Sequence, residues 1–516
     1  METILRFIKR AESHSLGRAS FLVGCWIFLR VFFEGIFESY HSVGFSGFSY
    51  RMLLSYFIHF PLFYFSLFLI LVLIISLVLN ESVRNVTKTA SIGLVLILFV
   101  PLIDFFVGGG YTITYPLRSG PYFIHFPNPF VSLAELGVSP GQRVIAGSVS
   151  ILIGIYAFLK TNKILRSTFT SLSCLVVIIV FGGFTTMLAL NRPESVYIPG
   201  GILYTDTQKY CAIYALIFSI LAFAYLFSLN RESATLFLKA LRLERVLFYG
   251  GVVVFGFVVS LRQQGVALEK GIFDYLGIVV MFMSIAFGFL SLQVFNDFFD
   301  TEIDRETGKR NLALMGIARK YQYVLFAYLL TLGLCCAVII NFQAFLILSA
   351  YLLLGVVYSM PPVRLKEIPL VSTFVIAVAV CLCIGLGFSV TYGGRAFTAI
   401  PGKLLIPTLV GITLGFVAKD IAHVEGDRIN GVVTLPVLLY DPTRLLGRVP
   451  IALFVSCSYL PYAIFIPQSI PGAIFCAACT FVYTVAVRKT REIFYFLMLY
   501  AFSGYLLTVL VRVLPF

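Results

Sequence analysis

The sequence predicts an all-α polytopic membrane protein, and three observations predict it. Of 516 residues, 59% are hydrophobic and only 12% charged, too little polar surface for a soluble chain of this size. Apolar runs of about 17–25 residues recur along the whole length, which is what a helix needs to cross a bilayer. The basic residues also sort by loop. The net charge of +14 would otherwise raise the question of nucleic acid.

In order, the runs predict fifteen spans: 20–38, 52–79, 90–107, 143–160, 169–190 and 211–229, then 246–261, 272–295, 321–340, 343–358, 370–391, 402–418, 449–466, 470–487 and 493–513. The second is long enough to tilt or kink, with Pro61 as the natural break. Alternating the loops places 27 of the 38 Lys and Arg on one side with the N-terminal tail, and 10 on the other; Arg30 lies inside the first span. The positive-inside rule then predicts a multi-pass cell-membrane protein with its N-terminus in the cytoplasm. Topology accounts for the positive charge, so no nucleic-acid partner is expected. The ten cysteines are scattered through apolar runs without metal-site spacing, and read as small core residues.

The chain divides near the basic stretch 230–245, into a six-span domain over 1–230 and a nine-span domain over 231–516. Residues 1–230 carry no motif with a readable role. Arg30 and Glu34 stand four apart in the first span and Asp104 lies in the third. Either they neutralise one another against a neighbouring helix, or they form a polar pocket for a headgroup or second substrate. The Gly-, Pro- and Tyr-rich loops near 108–142 and 191–210 are candidates for short re-entrant or external caps.

The chemistry concentrates in the second half. Asp297, Asp300 and Asp304 close a strongly apolar span at spacing 0, 3, 7, which puts them on one helical face. Asp420, His423 and Asp427 repeat that spacing. Two acidic faces of one geometry suggest a clamp for a divalent metal and phosphate. A third motif, Tyr358-Ser359-Met360-Pro361-Pro362-Val363-Arg364-Leu365-Lys366, leaves the span between them. Alternate spans exit on one side, so all three motifs face the cytoplasm. The bland reading, a wetted helix end, does not account for three such motifs on one face.

Asn296-Asp297-x-x-Asp300-x-x-x-Asp304, Tyr358-Ser359-x-Pro361-Pro362-x-Arg364-Leu365-Lys366 and Lys419-Asp420-Ile421 with Gly426-Asp427-Arg428 resemble the UbiA superfamily of intramembrane prenyltransferases. Gly431 to Pro436 follows in the same pattern, and the resemblance covers about 240–516. It is strongest to the branch with chlorophyll synthases, homogentisate prenyltransferases, archaeal geranylgeranylglyceryl-phosphate transferases and lycopene elongases. The resemblance implies a nine-helix bundle that moves a prenyl group from a prenyl diphosphate to a lipophilic acceptor in the membrane, with magnesium. It implies that Asp297, Asp300 and Asp304 hold one Mg2+ with Asn296 orienting the site, and that Asp420 and Asp427 hold another. Arg364, Lys366, Lys419 and Arg428 become candidates for the diphosphate, Tyr358 and His423 for the site lining, and Phe295 and Phe298 for shielding a cation. Magnesium suits such a set because it takes carboxylate and phosphate oxygens.

Two departures stand out. His423 replaces the family's usual Asp, and imidazole is a poor magnesium ligand. Glu425 compensates, or the second metal binds more weakly, or His423 acts on the acceptor. After Asp304 the family's Arg-Pro-rich stretch reads Arg310-Asn311-Leu312-Ala313-Leu314-Met315-Gly316 here. The rival reading is a transporter or binding protein for phosphorylated isoprenoid lipids. Related halves with helices broken at mid-membrane would support it, but six and nine spans do not match.

Overall fold

In a bilayer every backbone N–H and C=O needs an internal partner, so apolar runs of this length fold as helices. The computed structural model describes residues 2–39, 50–108, 119–126, 128, 138–187, 202–266, 271–307, 311–421, 424–429, 433–441, 443–488 and 490–513. Among them there is no strand, and fifteen helices are long and apolar enough to cross a membrane. They are α1 Leu16–Phe37, α2 Leu53–Leu79, α3 Val83–Val107, α4 Pro140–Thr161, α5 Ile164–Phe184 and α6 Asp206–Leu229. The remainder are α7 Leu243–Gln264, α8 Ile272–Glu302, α9 Arg319–Ile340, α10 Phe342–Ser359, α11 Val371–Ala399, α12 Gly402–Ile421, α13 Leu445–Phe465, α14 Pro467–Ala486 and α15 Glu492–Arg512.

Several boundaries move for local reasons. Helix α3 starts at Val83 rather than near 90, because the Ser82 side chain accepts from the Asn85 N–H and caps a polar first turn. The irregularity expected in α2 is a π-helical stretch, Leu53–His59, in which the Phe60 N–H reaches back to the Ser55 carbonyl. Pro61 then sits in the first turn of the following α-helix, where its missing N–H costs nothing. Helix α8 does not stop near 295: its backbone continues to Thr307, so the whole acidic motif rides on it. All ten cysteines are among the described residues, and none of them forms a disulfide.

The chain forms two compact units, Met1–Ile198 with Tyr204–Arg231, and Pro199–Leu203 with Glu232–Phe516. In the first, Ser139 and Thr205 start α4 and α6 with capping boxes completed by Gln142 and Gln208.

In the second unit α7 packs along α11, where the two backbones touch. A Cβ on Gly256 would lie 2.6 Å from the Ile384 carbonyl oxygen, and one on Gly387 2.5 Å from the Phe257 nitrogen. Small residues are the means by which membrane helices approach this closely. Gly387→Leu is therefore expected to force the pair apart, at about 1–3 kcal/mol for overpacking. A drop in the thermal midpoint of the detergent-purified protein checks it. The unit closes on itself, since α15 returns to α7: Tyr500 OH donates to the Glu244 carbonyl at 2.5 Å, and Arg262 Nε to that of Val511 at 2.7 Å. Asn341 pins the α9–α10 turn, capping α10 through the Ala344 N–H at 2.7 Å and donating to Ser389 O at 3.0 Å.

Candidate active site

The starts of α7 and α15 and the ends of α8, α10 and α12 enclose one cavity of about 620 Å³. Asn296, Asp300, Asp304, Tyr358, Arg364, Lys366, Lys419 and Asp420 all line it. Three motifs that lie far apart in sequence thus meet in one space, because each leaves its helix at the same end of the bundle.

Asp300 is the hub. Its carboxylate accepts from Arg364 Nη2 at 2.6 Å, from Lys366 Nζ at 2.6 and 2.5 Å, and from Asn296 Nδ2 at 2.6 Å. The Asn296 carbonyl accepts from Lys366 at 2.8 Å and from Ser359 at 3.0 Å. Arg364 adopts the left-handed backbone conformation, φ 37° and ψ 59°, which costs a non-glycine residue about 1 kcal/mol. Its bond to Asp300 and its 3.0 Å contact with Glu367 hold it there. Burial pushes the Lys366 ammonium below the ordinary lysine range, while the Asp300 charge pulls it back up. Lys419 donates to Tyr358 OH at 2.9 Å and stands 4.0 Å from Asp420.

The three acids of the first motif face differently. Asp304 lines the cavity, but Asp297 is buried behind it and faces the segment after α8. One Asp297 oxygen accepts from the Leu312 N–H at 3.0 Å; the other makes no hydrogen bond. Asn311 completes this fastening. Its amide donates to the Asp297 carbonyl at 3.0 Å and to Asp304 Oδ2 at 2.9 Å, while its oxygen accepts from Ala313 N–H at 2.9 Å. The stretch that departs from the family pattern is therefore what holds the acidic face in place.

Other expectations also change. Arg428 is exposed and away from the cavity lining, with Nη2 3.5 Å from the Val437 and Tyr440 carbonyls, so it ties a loop. Phe295 and Phe298 do not line the cavity; they pack on α9 against Phe326 and Tyr323, at ring distances of 5.6 and 4.9 Å. His423 and the Asp427 side chain lie outside the described residues, as does Arg310. Glu425 is exposed.

The sequence reading missed Arg242, Arg245, Tyr249 and Glu492. All four line the cavity. Arg242, Arg245 and Tyr249 repeat the 0, 3, 7 spacing, a signal that the basic-loop count had absorbed. Glu492, at the start of α15, holds Arg245 at 2.5 and 3.1 Å. Burial, then the neighbouring Arg245 charge, push the Arg242 guanidinium below its ordinary range. Deeper in, Tyr249 packs against Phe289 at 5.2 Å and Tyr351 at 5.8 Å, above Leu354, Val375 and Ile376. The cavity is charged at one end and aromatic and aliphatic at the other.

Among the described residues no three His, Cys, Asp or Glu side chains converge as a metal group, so Asp297, Asp300 and Asp304 do not jointly form a preassembled cage. The donor set still suits magnesium. That ion typically uses one or two carboxylates, with phosphate oxygens and water for the rest. Asp300, Asp304 and Asp420 offer such oxygens along one cavity.

Residues 252–508 match the model of the UbiA prenyltransferase family. The digeranylgeranylglyceryl phosphate synthase of Sulfolobus acidocaldarius is 29% identical over 241 residues, 45% of this chain and 79% of that protein. The chloroplastic 2-acyl-4-prenylphloroglucinol 6-prenyltransferase of Humulus lupulus is 30% identical over 149 residues, 27% of this chain and 36% of its own length. A solved UbiA homolog from Archaeoglobus fulgidus, bound to GPP and Mg2+, aligns at 18% identity and a TM-score of 0.39, over 55% of this chain and 99% of that one. Through residues 252–508 the chain belongs to the UbiA prenyltransferase family, and it is a prenyltransferase built of membrane-spanning helices.

Proposed function

We propose that this domain transfers the prenyl group of a prenyl diphosphate to a lipophilic acceptor at the cytoplasmic side of the membrane, with Mg2+ taken up by one or two of the carboxylates of Asp300, Asp304 and Asp420 together with the diphosphate oxygens. The observation that carries the reading is the two-ended cavity. Five cations (Arg242, Arg245, Arg364, Lys366 and Lys419) surround its polar end, and the ring shelf of Tyr249, Phe289 and Tyr351 continues into an apolar end. A diphosphate with an isoprenoid tail has the same polarity along its length.

The chemistry breaks the bond between the allylic carbon and the diphosphate oxygen, and the electron pair leaves with diphosphate. The acceptor bonds to that carbon and loses a proton. Bound magnesium would neutralise charge on the departing oxygens. Arg364 and Lys366 already hold an anion, Asp300, in the place a phosphate would take. A bound diphosphate would compete for both cations, and the Asp300 oxygens would then be among those that hold the metal. Lys419, oriented by Tyr358, and Arg245, oriented by Glu492, supply further fixed donors, which act strongly where water is excluded. The similarity to archaeal digeranylgeranylglyceryl phosphate synthases favours a glycerol phosphate lipid as the first acceptor to test, ahead of an aromatic ring.

The test is diphosphate release by purified protein with geranylgeranyl diphosphate, a panel of glycerol phosphate lipid and aromatic acceptors, and magnesium present or chelated. Magnesium-dependent release with a mass-shifted acceptor, lost in Asp300→Ala with Asp304→Ala, is expected. Tight diphosphate binding without release across several chain lengths would overturn it in favour of binding or transport.

Asn311→Ala should act through Asp304. Losing an orienting partner of a metal-binding side chain typically costs 10–100-fold in metal affinity. The magnesium concentration for half-maximal rate should rise about tenfold with KM for the acceptor unchanged, read from a magnesium titration of the initial rate.

A further inference from the structure

The first unit contains a cavity of its own, about 300 Å³, whose walls come from α2, α3, α4, α5 and the short helix Ser119–His125. Gln142 and Tyr156 both line it and mark its ends along α4, roughly 21 Å apart at 1.5 Å per residue. The walls are aromatic and aliphatic, with Phe63, Tyr64, Phe68, Tyr122 and Phe126 among them.

Charged groups lie beyond each end. Beyond Tyr156, Lys160 bridges Glu12 at 2.6 Å and Glu81 at 3.5 Å, and Lys88 Nζ donates to the Glu12 carbonyl at 2.7 Å. Beyond Gln142, Asp104 accepts from the Gly141 N–H at 2.7 Å, and the fully buried Arg30–Glu34 pair closes at 3.0 Å, with the Arg30 guanidinium 5.8 Å from the Tyr64 ring. An apolar space flanked by ionic groups fits a lipid tail whose head meets one of them. The wall of α3 is adapted to it. Its α-helix stops at Gly93 and tightens to a 3₁₀ stretch, Leu94–Leu98, and Ala90, Gly93, Leu94 and Ile97 all line the space.

We propose that this cavity binds the tail of an isoprenoid lipid, which gives the six-span unit a role as a second lipid-binding site. The choice of an isoprenoid over a straight acyl chain rests on the prenyl-transfer reading of the other unit and on the ring-rich walls.

The test is photo-crosslinking of the full chain in lipid nanodiscs. One probe is a prenyl lipid with a diazirine on its chain, the other a phospholipid with a diazirine on a straight acyl chain. The prenyl probe should label peptides spanning 89–100 and 142–156, and unlabelled prenyl lipid should compete. In Gly93→Phe that labelling should fall at least fivefold. A Cβ at Gly93 meets no atom within 4 Å, so the new ring enters the open space without displacing the backbone. Gly93→Ala and an unchanged thermal midpoint serve as controls, and Gly93→Leu replaces the phenylalanine variant if that one fails to fold. Repeating the labelling in Asp300→Ala with Asp304→Ala separates this site from the transfer reaction, because binding here should persist when transfer is gone. Equal labelling by the acyl probe, or labelling indifferent to Gly93→Phe, overturns the proposal and makes the cavity a space filled by bulk lipid.

Discussion

Replacing Asp300 by alanine is expected to reduce transfer by about 10³-fold or more in kcat, the scale set by losing one preorganised group at a site of developing charge. The geometry makes the effect compound. Asp300 takes four hydrogen bonds in this structure, three from cations and one from Asn296. Its removal would delete an oxygen that the proposed site offers to magnesium, and it leaves Arg364 and Lys366 facing one another without a counter-charge. Like charges brought together at one carboxylate repel once it is gone, and Arg364 loses the contact that holds its left-handed backbone. Two readouts follow. The ligand-free protein should melt at lower temperature, and diphosphate should restore more of that loss in the variant than in wild type, since it resupplies the missing anion. A variant that retains near-normal kcat would remove Asp300 from the reaction.

Lys366 carries the second large effect. Lys366→Met is expected to lower kcat/KM for the prenyl diphosphate about 100-fold, roughly 2.7 kcal/mol, mostly through KM. The pH dependence gives it a distinct signature. Burial holds the ammonium below the ordinary lysine range, so raising pH removes its proton earlier than for an exposed lysine. The alkaline limb of kcat/KM, which reports the free enzyme, should fall below that range. Bound diphosphate favours the charged form, so the limb of kcat should lie at higher pH. In Lys366→Arg the guanidinium stays protonated throughout, and the limb attributable to this residue should vanish. An alkaline limb identical in wild type and Lys366→Arg would assign that titration to another group.

How much of the site was legible depends on what kind of signal each residue leaves. Asp300, Asp304, Asn296, Tyr358, Arg364, Lys366, Lys419 and Asp420 belong to polar motifs in apolar surroundings, and the structure puts all eight on one cavity. Arg242, Arg245 and Tyr249 had the right spacing but were hidden, because the positive-inside rule explains any basic residue in such a loop. Asp297 looked equivalent to its neighbours by periodicity. Its direction was set by a hydrogen bond to Leu312, fifteen residues away on a segment that turns back over α8. Asn311 read as a deviation from a family pattern, with nothing in the sequence to show that it grips Asp304.

The fifteen spans and the shared exit side of the three motifs were determined by the sequence alone, because hydrophobicity over twenty residues and loop charge are local properties that a bilayer reads directly. Which face of each helix meets the cavity was decided only by tertiary structure. In an all-apolar helix no polar stripe marks the inside, so facing is set by where backbones can touch, as at Gly256 and Gly387, and by bonds between distant residues, as between Arg245 and Glu492. Folding decided the same way which acids line the cavity and which one bonds to the segment after α8.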